Sequence, residues 1–146
     1  MALNLILLHQ FYHELSYEEY IMTDETTKIL TDQDVSMLLE IANLACHKGF
    51  PANAREIVQG VLAERPNFVP AQISLAYSHI VVDDFQTALD MLEGILDKHP
   101  DDDDARVMQV LALVLAGRSD EAKKSIADFG HDCSQKQLAW DIVNNM

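Results

Sequence analysis

The sequence predicts an all-α protein made of three consecutive helix pairs, and three observations support this prediction. Pro66 and Pro100 differ by 34 in residue number. Alanine recurs at the same period, at Ala54, Ala88 and Ala122. Three units stay in register without an insertion, over residues 35–68, 69–102 and 103–136. A repeat of this length is typical of supersecondary units that stack on one another, so we expect the pairs to stack.

Other positions follow the same period, each for a physical reason. Small or β-branched residues occupy the first helices at Ala42, Ala76 and Val110. Large apolar residues follow the repeated alanines by four positions, at Val58, Leu92 and Ile126. Gly49 and Gly117 lie where first helices are expected to end, and Asp83 shares their spacing. Close helix crossings require small side chains, helix ends favour left-handed residues such as glycine, and proline stops a helix.

Residues 1–30 are predicted to form a helical segment and a loop before the repeats. The apolar spacing indicates a helix over 3–15, Ser16 can cap a second short helix, and the polar stretch 23–28 is typical of a loop. The apolar run Leu3–Leu8 is far shorter than the roughly 20 residues that a membrane span needs. It also lacks the preceding Lys or Arg of a signal peptide.

Caps are predicted at both ends of the repeats. Thr31 and Asp34 have the spacing of a capping box at the start of the first repeat helix. A final capping helix is predicted over 137–146, with Ser134 as its cap and an apolar side made of Leu138, Ile142 and Val143. Trp140 is expected to pack in the core or the cap.

Composition and charge restrict the class of partner. The 146 residues fit one domain, and 24 acidic against 10 basic residues give a net charge of −14. Such a field repels nucleic-acid phosphates and anionic lipids, so neither nucleic acid nor a membrane is expected as a partner. Cys46 and Cys133 provide no disulfide framework, and a reducing, cytoplasmic location is the natural expectation.

No motif for catalysis is present. The sequence lacks a P-loop, a dinucleotide-binding glycine motif, a nucleophile elbow and a zinc-protease signature, so we expect no enzymatic activity and no cofactor. A zinc site made of Cys46, His47, His131 and Cys133 is disfavoured because its halves lie two repeat units apart. The acidic run Asp101–Asp104 is expected to open a helix rather than to bind calcium, since it lacks a calcium loop's glycine turn and distal glutamate.

A period of 34 with this pattern of small residues resembles the tetratricopeptide repeat (TPR). The resemblance implies a right-handed superhelix in which the first helix of each pair lines a concave groove. The residues of this sequence at the inward-facing positions form the predicted binding site. They are Leu39, Asn43 and Cys46 in unit one, Ile73, Tyr77, Ile80 and Val81 in unit two, and Val107, Leu111, Val114 and Leu115 in unit three.

The predicted groove is strongly apolar, and such a surface needs a cover. The N-terminal helix could fold into it through Leu3, Ile6, Leu7 and Phe11. A partner's amphipathic helix or extended segment could occupy it instead, or unit three could pair with the C-terminal helix and a homodimer mate. The partner is favoured, because solenoids use their concave surface for recognition. TPR modules that bind heat-shock tails line the groove with Lys, Arg and Asn, and here only Asn43 fits.

Size, acidity and three repeats with flanking helices resemble the small TPR chaperones of bacterial type III secretion systems. Those proteins hold hydrophobic needle or translocator subunits before export. The resemblance implies a cytoplasmic chaperone that keeps a self-assembling substrate monomeric, with a small co-chaperone as a further partner. The alternative is a TPR adaptor or scaffold without chaperone activity.

Overall fold

The computed structural model describes residues 29–130 and 134–145, and all its regular structure is helical. The predicted all-α class is therefore confirmed for this part of the chain. The predicted helix over 3–15, the cap at Ser16 and the loop over 23–28 lie outside the described residues. The helices are α1 (Asp32–His47), α2 (Pro51–Glu64), α3 (Val69–Ile80), α4 (Phe85–Leu96), α5 (Asp103–Leu115), α6 (Ser119–Ala127) and α7 (Ser134–Asn145).

The helix boundaries recur with the spacing of the sequence pattern. The second helices α2, α4 and α6 begin at Pro51, Phe85 and Ser119, each start exceeding the previous one by 34 in residue number. The first helices α3 and α5 begin at Val69 and Asp103, which differ by the same amount. Each second helix packs against the first helix of its own unit and against the next first helix along the chain.

The turn inside each helix pair has one conformation, used three times. Gly49, Asp83 and Gly117 have φ angles of 84°, 61° and 74°, and no other described residue has a positive φ. In the first turn, the amide of Phe50 donates to the carbonyl of Ala45 at 2.8 Å, and the other two turns repeat this bond at the same register. This is a Schellman motif, which closes a helix on a left-handed residue. A glycine meets that requirement without strain, and aspartate is among the residues that tolerate it.

The core follows the repeated small and large positions. The crossing alanines Ala54, Ala88 and Ala122 are buried, and so are the large residues Val58, Leu92 and Ile126. A methyl group at the crossing lets the two helix backbones approach, and the larger side chain one turn later fills the space beside it.

A hydrogen bond that the pattern did not predict ties neighbouring units together. Gln72 Nε2 donates to the Pro66 carbonyl at 2.9 Å, and Arg106 Nη2 donates to the Pro100 carbonyl at the same register. Both bonds satisfy a carbonyl in the turn between units, where a proline has interrupted the backbone ladder. Arg106 is buried and its guanidinium lies 5.7 Å from the centre of the Phe129 ring.

The capping box predicted at the start of α1 and the helix start predicted at the acidic run are both confirmed. The Thr31 side chain accepts from the Asp34 amide, and the Asp34 carboxylate accepts from the Thr31 amide at 2.9 Å. Hydrogen bonding by Thr31 lowers the pKa of Asp34. Within the acidic run, Asp102 is the N-cap of α5 and its carboxylate accepts from the Ala105 amide at 2.8 Å. The run therefore opens a helix, as the dipole argument expects.

The last helix differs from its prediction. It begins at Ser134, earlier than the predicted start at 137, and packs against α5 and α6. Ile142 and Val143 contact the core as predicted, but the third member of that side is Ala139, whereas Leu138 is 51% exposed. Trp140, predicted to pack in the core or the cap, lies on this last helix with 38% of its surface exposed. Helical spacing is compatible with either Leu138 or its neighbour Ala139 on the buried side. The smaller of the two, Ala139, packs in the core cluster that includes Ile126 of α6.

Candidate protein-binding groove

The first helices form a layer of their own. Besides packing against second helices, α1 contacts α3 and α3 contacts α5. Their remaining free sides therefore make one continuous surface. We call this surface the first-helix groove and define it by the predicted residues together with His47.

The groove consists of four columns of residues spaced by 34. The columns are Leu39, Ile73 and Val107; Asn43, Tyr77 and Leu111; Cys46, Ile80 and Val114; and His47, Val81 and Leu115. All belong to α1, α3 and α5 or to the residue that follows a helix. Asn43 and His47 are the polar members apart from the Tyr77 hydroxyl, so the surface is apolar across units two and three.

The structure divides the eleven predicted residues by burial, and Cys46 is buried. Leu39, Ile80 and Val107 are buried in the core of the helix stack. Asn43, Ile73, Tyr77, Leu111 and Val114 are half-buried. Val81 and Leu115 are exposed, with 37% and 40% of their surface accessible. Contact with another molecule is therefore available to the second and fourth columns and to Ile73 and Val114.

Tyr77 is the polar centre of the groove, at the junction of units one and two. Its ring lies 5.7 Å from the His47 ring at an interplanar angle of 55°. The hydroxyl oxygen is 3.4 Å from each nitrogen of the His47 ring, which is at the outer limit of a hydrogen bond. Burial raises the pKa of Tyr77, and the neighbouring Cys46 raises it further. The hydroxyl is thus a neutral group able to donate to a partner's carbonyl.

Cys46 lies beneath this pair and is closed off from solvent. Burial raises the pKa of its thiol, and the guanidinium of Arg55 partly opposes that shift. Arg55 itself is held by unit two, because its Nε donates to the Ser78 hydroxyl at 3.2 Å. A buried thiol with a raised pKa behaves as a small apolar residue rather than as a nucleophile.

Two aspects of the groove were missing from the predicted site. His47 shares a column with Val81 and Leu115, so its register alone was a sufficient signal. Phe50 and Val82 are further exposed apolar residues, at 59% and 42%, and follow the ends of α1 and α3 along the chain. Their exposure depends on the turn conformation and could not be seen from helical spacing.

The described residues also include a polar cleft away from the groove. It measures about 340 Å³ and lies between α4, α5 and α6. Its lining carries both charges, and Arg118 is held by Glu121 through two hydrogen bonds of 2.7 Å. The lining holds four carboxylates and two cations, so the cleft as a whole is acidic.

Neither a metal-ion site nor a membrane span occurs in the part of the chain that is described. No group of three His, Cys, Asp or Glu side chains there could hold a metal ion. Of the zinc site considered from sequence, His131 and Cys133 lie outside the described residues. None of the described helices combines the length and the apolarity that crossing a bilayer requires.

The comparisons with known proteins found no relative of this chain. No protein-family model, no curated protein sequence and no solved structure matches this chain.

Proposed function

We propose that this protein is a TPR-type chaperone that binds an apolar segment of another protein in the first-helix groove. The single observation that carries the proposal is the row of partly exposed apolar side chains on adjacent first helices. Tyr77, Val81, Leu111 and Leu115 occupy equivalent positions on α3 and α5, and none has a covering element among the described residues. A row of this kind is the surface expected for an amphipathic helix or an extended segment.

The superhelix belongs to the same proposal. The regular spacing of helix starts, the repeated left-handed turn and the buried alanines are what a right-handed TPR superhelix requires. In such a superhelix the first helices contact one another and lie on the inner side. The contacts of α1 with α3 and of α3 with α5 agree with that arrangement.

The chemistry of the groove defines the occupant. It carries no Lys or Arg, so an acidic tail would lose its hydration without gaining a partner charge. An apolar segment meets no such cost. Basic residues flanking that segment would be attracted by the acidic exterior, which has a net charge of −14 over the whole chain.

A chaperone duty follows when the occupant assembles with itself through the same apolar segment. The groove then competes with self-assembly and keeps the substrate monomeric. An ordinary contact of this type buries about 800 Å² on each partner. We propose a type III secretion needle or translocator subunit as the substrate, and the cytoplasm as the place where it is held.

Co-expression with candidate secretion substrates tests the proposal. The expected result is a soluble complex, and Tyr77→Glu or Leu111→Glu should weaken it by about 2 kcal/mol, roughly 30-fold, as for other central interface positions. Ala63→Glu adds the same charge at an exposed position of α2 and is the matched control. Circular dichroism of all variants verifies that the helices persist.

Two results would count against the chaperone. If no candidate substrate becomes soluble with this protein, the chaperone duty is refuted. If a partner is found that is fully soluble alone, the protein is an adaptor or scaffold instead. Loss of helicity in Tyr77→Glu or Leu111→Glu would show that these residues belong to the core.

A further inference from the structure

A second apolar surface lies on α1, separate from the first-helix groove. Met37, Ile41 and Leu44 are spaced as i, i+4 and i+7, so they share one face of the helix. They are 53%, 46% and 56% exposed. We call these three residues the α1 stripe. Three large apolar side chains exposed side by side form an unusual surface for a helix in water.

The repeat register shows which element covers the positions equivalent to the α1 stripe in later units. The positions equivalent to Met37 are Ala71, Ala105 and Ala139, and all three are fully buried. Each lies in a core cluster with residues of the second helix of the preceding unit. Ala71 lies with Val58 of α2, and the two later alanines lie with Leu92 of α4 and Ile126 of α6.

The other end of the stripe follows the same rule. Leu44 is equivalent to Ser78 and Ala112, which are both fully buried. Ser78 is covered by α2, whose Arg55 donates to its hydroxyl and, at 3.5 Å, to its carbonyl. The stripe is thus the face of a first helix that normally receives the second helix of the unit before it. Among the described residues, no unit precedes α1.

The stretch 1–28 of the same chain is a candidate cover for the α1 stripe, because of the point at which it joins the described residues. Leu30 is anchored to the end of α2, because its amide donates to Glu64 and its carbonyl accepts from Arg65 at 2.7 Å. The stretch 1–28 therefore joins the described part at the start of α1. Its portion from 16 to 28 can span about 40 Å. Since α1 itself is about 24 Å long, the segment 3–15 can reach any part of the stripe.

We propose that the N-terminal segment 3–15 covers the α1 stripe, using the apolar side made of Leu3, Ile6, Leu7 and Phe11. A tethered segment has a high effective concentration, which favours it over a second molecule. A second copy of the chain would also carry the same net charge of −14 and repel the first. This inference is independent of the proposed function. It places the N-terminal segment outside the first-helix groove and leaves the groove open.

The sequence immediately before α1 does not continue the repeat pattern. The repeat register places Tyr20 where the repeats have Ala54, Ala88 and Ala122, and Asp24 where they have a large apolar residue. The stripe differs in the complementary way, with Met and Leu where later units have Ala or Ser. Large side chains in the α1 stripe allow a less close approach than the alanines of later units, so a segment that covers the stripe needs no alanine at the crossing. Atypical terminal units are the rule in solenoids.

Cysteine cross-linking in the full chain tests the placement. In a Cys46→Ala, Cys133→Ser background, Leu7→Cys is combined either with Ile41→Cys in the stripe or with Leu115→Cys in the groove. We expect the first combination to form an intramolecular disulfide under mild oxidation and the second to remain reduced. The products are distinguished by non-reducing electrophoresis and intact mass.

Each other outcome overturns the proposal. A bond to position 115 instead of 41 would place the segment in the groove. Disulfide-linked dimers would show that a second copy covers the stripe. If cysteines at Ile6, Leu7 and Phe11 all fail to react with position 41, the segment does not lie there.

Oxidation of Met37 by peroxide provides a second readout that needs no new cysteine. Met37 should be protected in the unmodified chain and oxidised about tenfold faster in Leu7→Glu, since one buried leucine contributes that much or more to docking. His9→Glu, a change outside the predicted apolar side, should leave the rate unchanged. Oxidation of Met37 in the unmodified chain at the rate of a free peptide would refute the proposal.

Discussion

The same substitution, glycine to alanine, should have opposite effects at two positions of this protein. Gly60 lies within α2 and is exposed, whereas Gly117 has a φ of 74° in the turn between α5 and α6. A Cβ atom added at either position would meet no atom within 4 Å. Packing is therefore the same in both cases, and only the backbone conformation differs. The pair isolates the energetic contribution of the left-handed turn.

The magnitudes follow from the two conformations. Alanine in place of glycine stabilises a helix interior by about 1 kcal/mol, which is the expected gain for Gly60→Ala. At position 117 the left-handed conformation costs an L-residue about 1–2 kcal/mol. Reduced freedom of the unfolded chain offsets about 0.4–1 kcal/mol of that cost. Gly117→Ala should thus be destabilised by about 0.5–1 kcal/mol, leaving the two variants about 1.5–2 kcal/mol apart.

Urea unfolding followed by circular dichroism at 222 nm measures both effects. The midpoints of Gly60→Ala and Gly117→Ala should move in opposite directions with unchanged m-values. In thermal unfolding each kcal/mol corresponds to a shift of about 3–5 °C for a domain of this size. If Gly117→Ala is as stabilising as Gly60→Ala, residue 117 is not left-handed and the repeated turn is wrong.

Three other predictions concern single side chains. Ala88→Leu should destabilise the protein by about 1–3 kcal/mol, because the buried helix crossing has no room for the larger side chain; thermal unfolding measures the loss. Hydrogen bonding by His79, whose Nδ1 lies 2.9 Å from the Asp84 carboxylate, lowers the pKa of Asp84. The ionised carboxylate therefore stabilises the fold at pH values above its unfolded pKa of about 3.9. This contribution is lost as the pH falls through the lower pKa of the folded state. Asp84→Asn should therefore flatten the acid limb of a stability-versus-pH curve, and an unchanged limb would contradict the bond. Burial raises the pKa of the Cys46 thiol. In a Cys133→Ser variant, we therefore expect thiol labelling at neutral pH to be slow in buffer and fast in urea. Equal rates would show that the thiol is accessible in the folded protein.

The groove proposal and the stripe proposal have different consequences for binding experiments. A ligand of the first-helix groove should be sensitive to changes at Tyr77 and Leu111 but insensitive to changes at Ile41. If the N-terminal segment covers the α1 stripe, variants there alter stability and leave the groove affinity intact. Measuring both properties on both sets of variants separates the two surfaces.

The sequence by itself determined the features that depend on local physics. The period of 34, the alanines at helix crossings, the helix ends at Gly49 and Gly117, the cap at Thr31 and the helix start at the acidic run each involve residues that are close along the chain or repeated in every unit. The face of α3 and α5 that carries Tyr77 and Leu111 was predicted from the resemblance to TPR repeats. Such signals survive in a sequence because each unit must solve the same packing problem with its nearest neighbours.

Only the tertiary structure decided which of those faces remain accessible. Leu39 and Leu115 follow the same helical pattern, yet Leu39 is in the core and Leu115 is exposed. Met37 and Ala71 share one register position, yet the first is exposed and the second is buried beneath α2. Accessibility is set by the neighbouring helix and not by the residue's own spacing. A periodic pattern specifies the orientation of a side chain, whereas its burial depends on what lies opposite it in space.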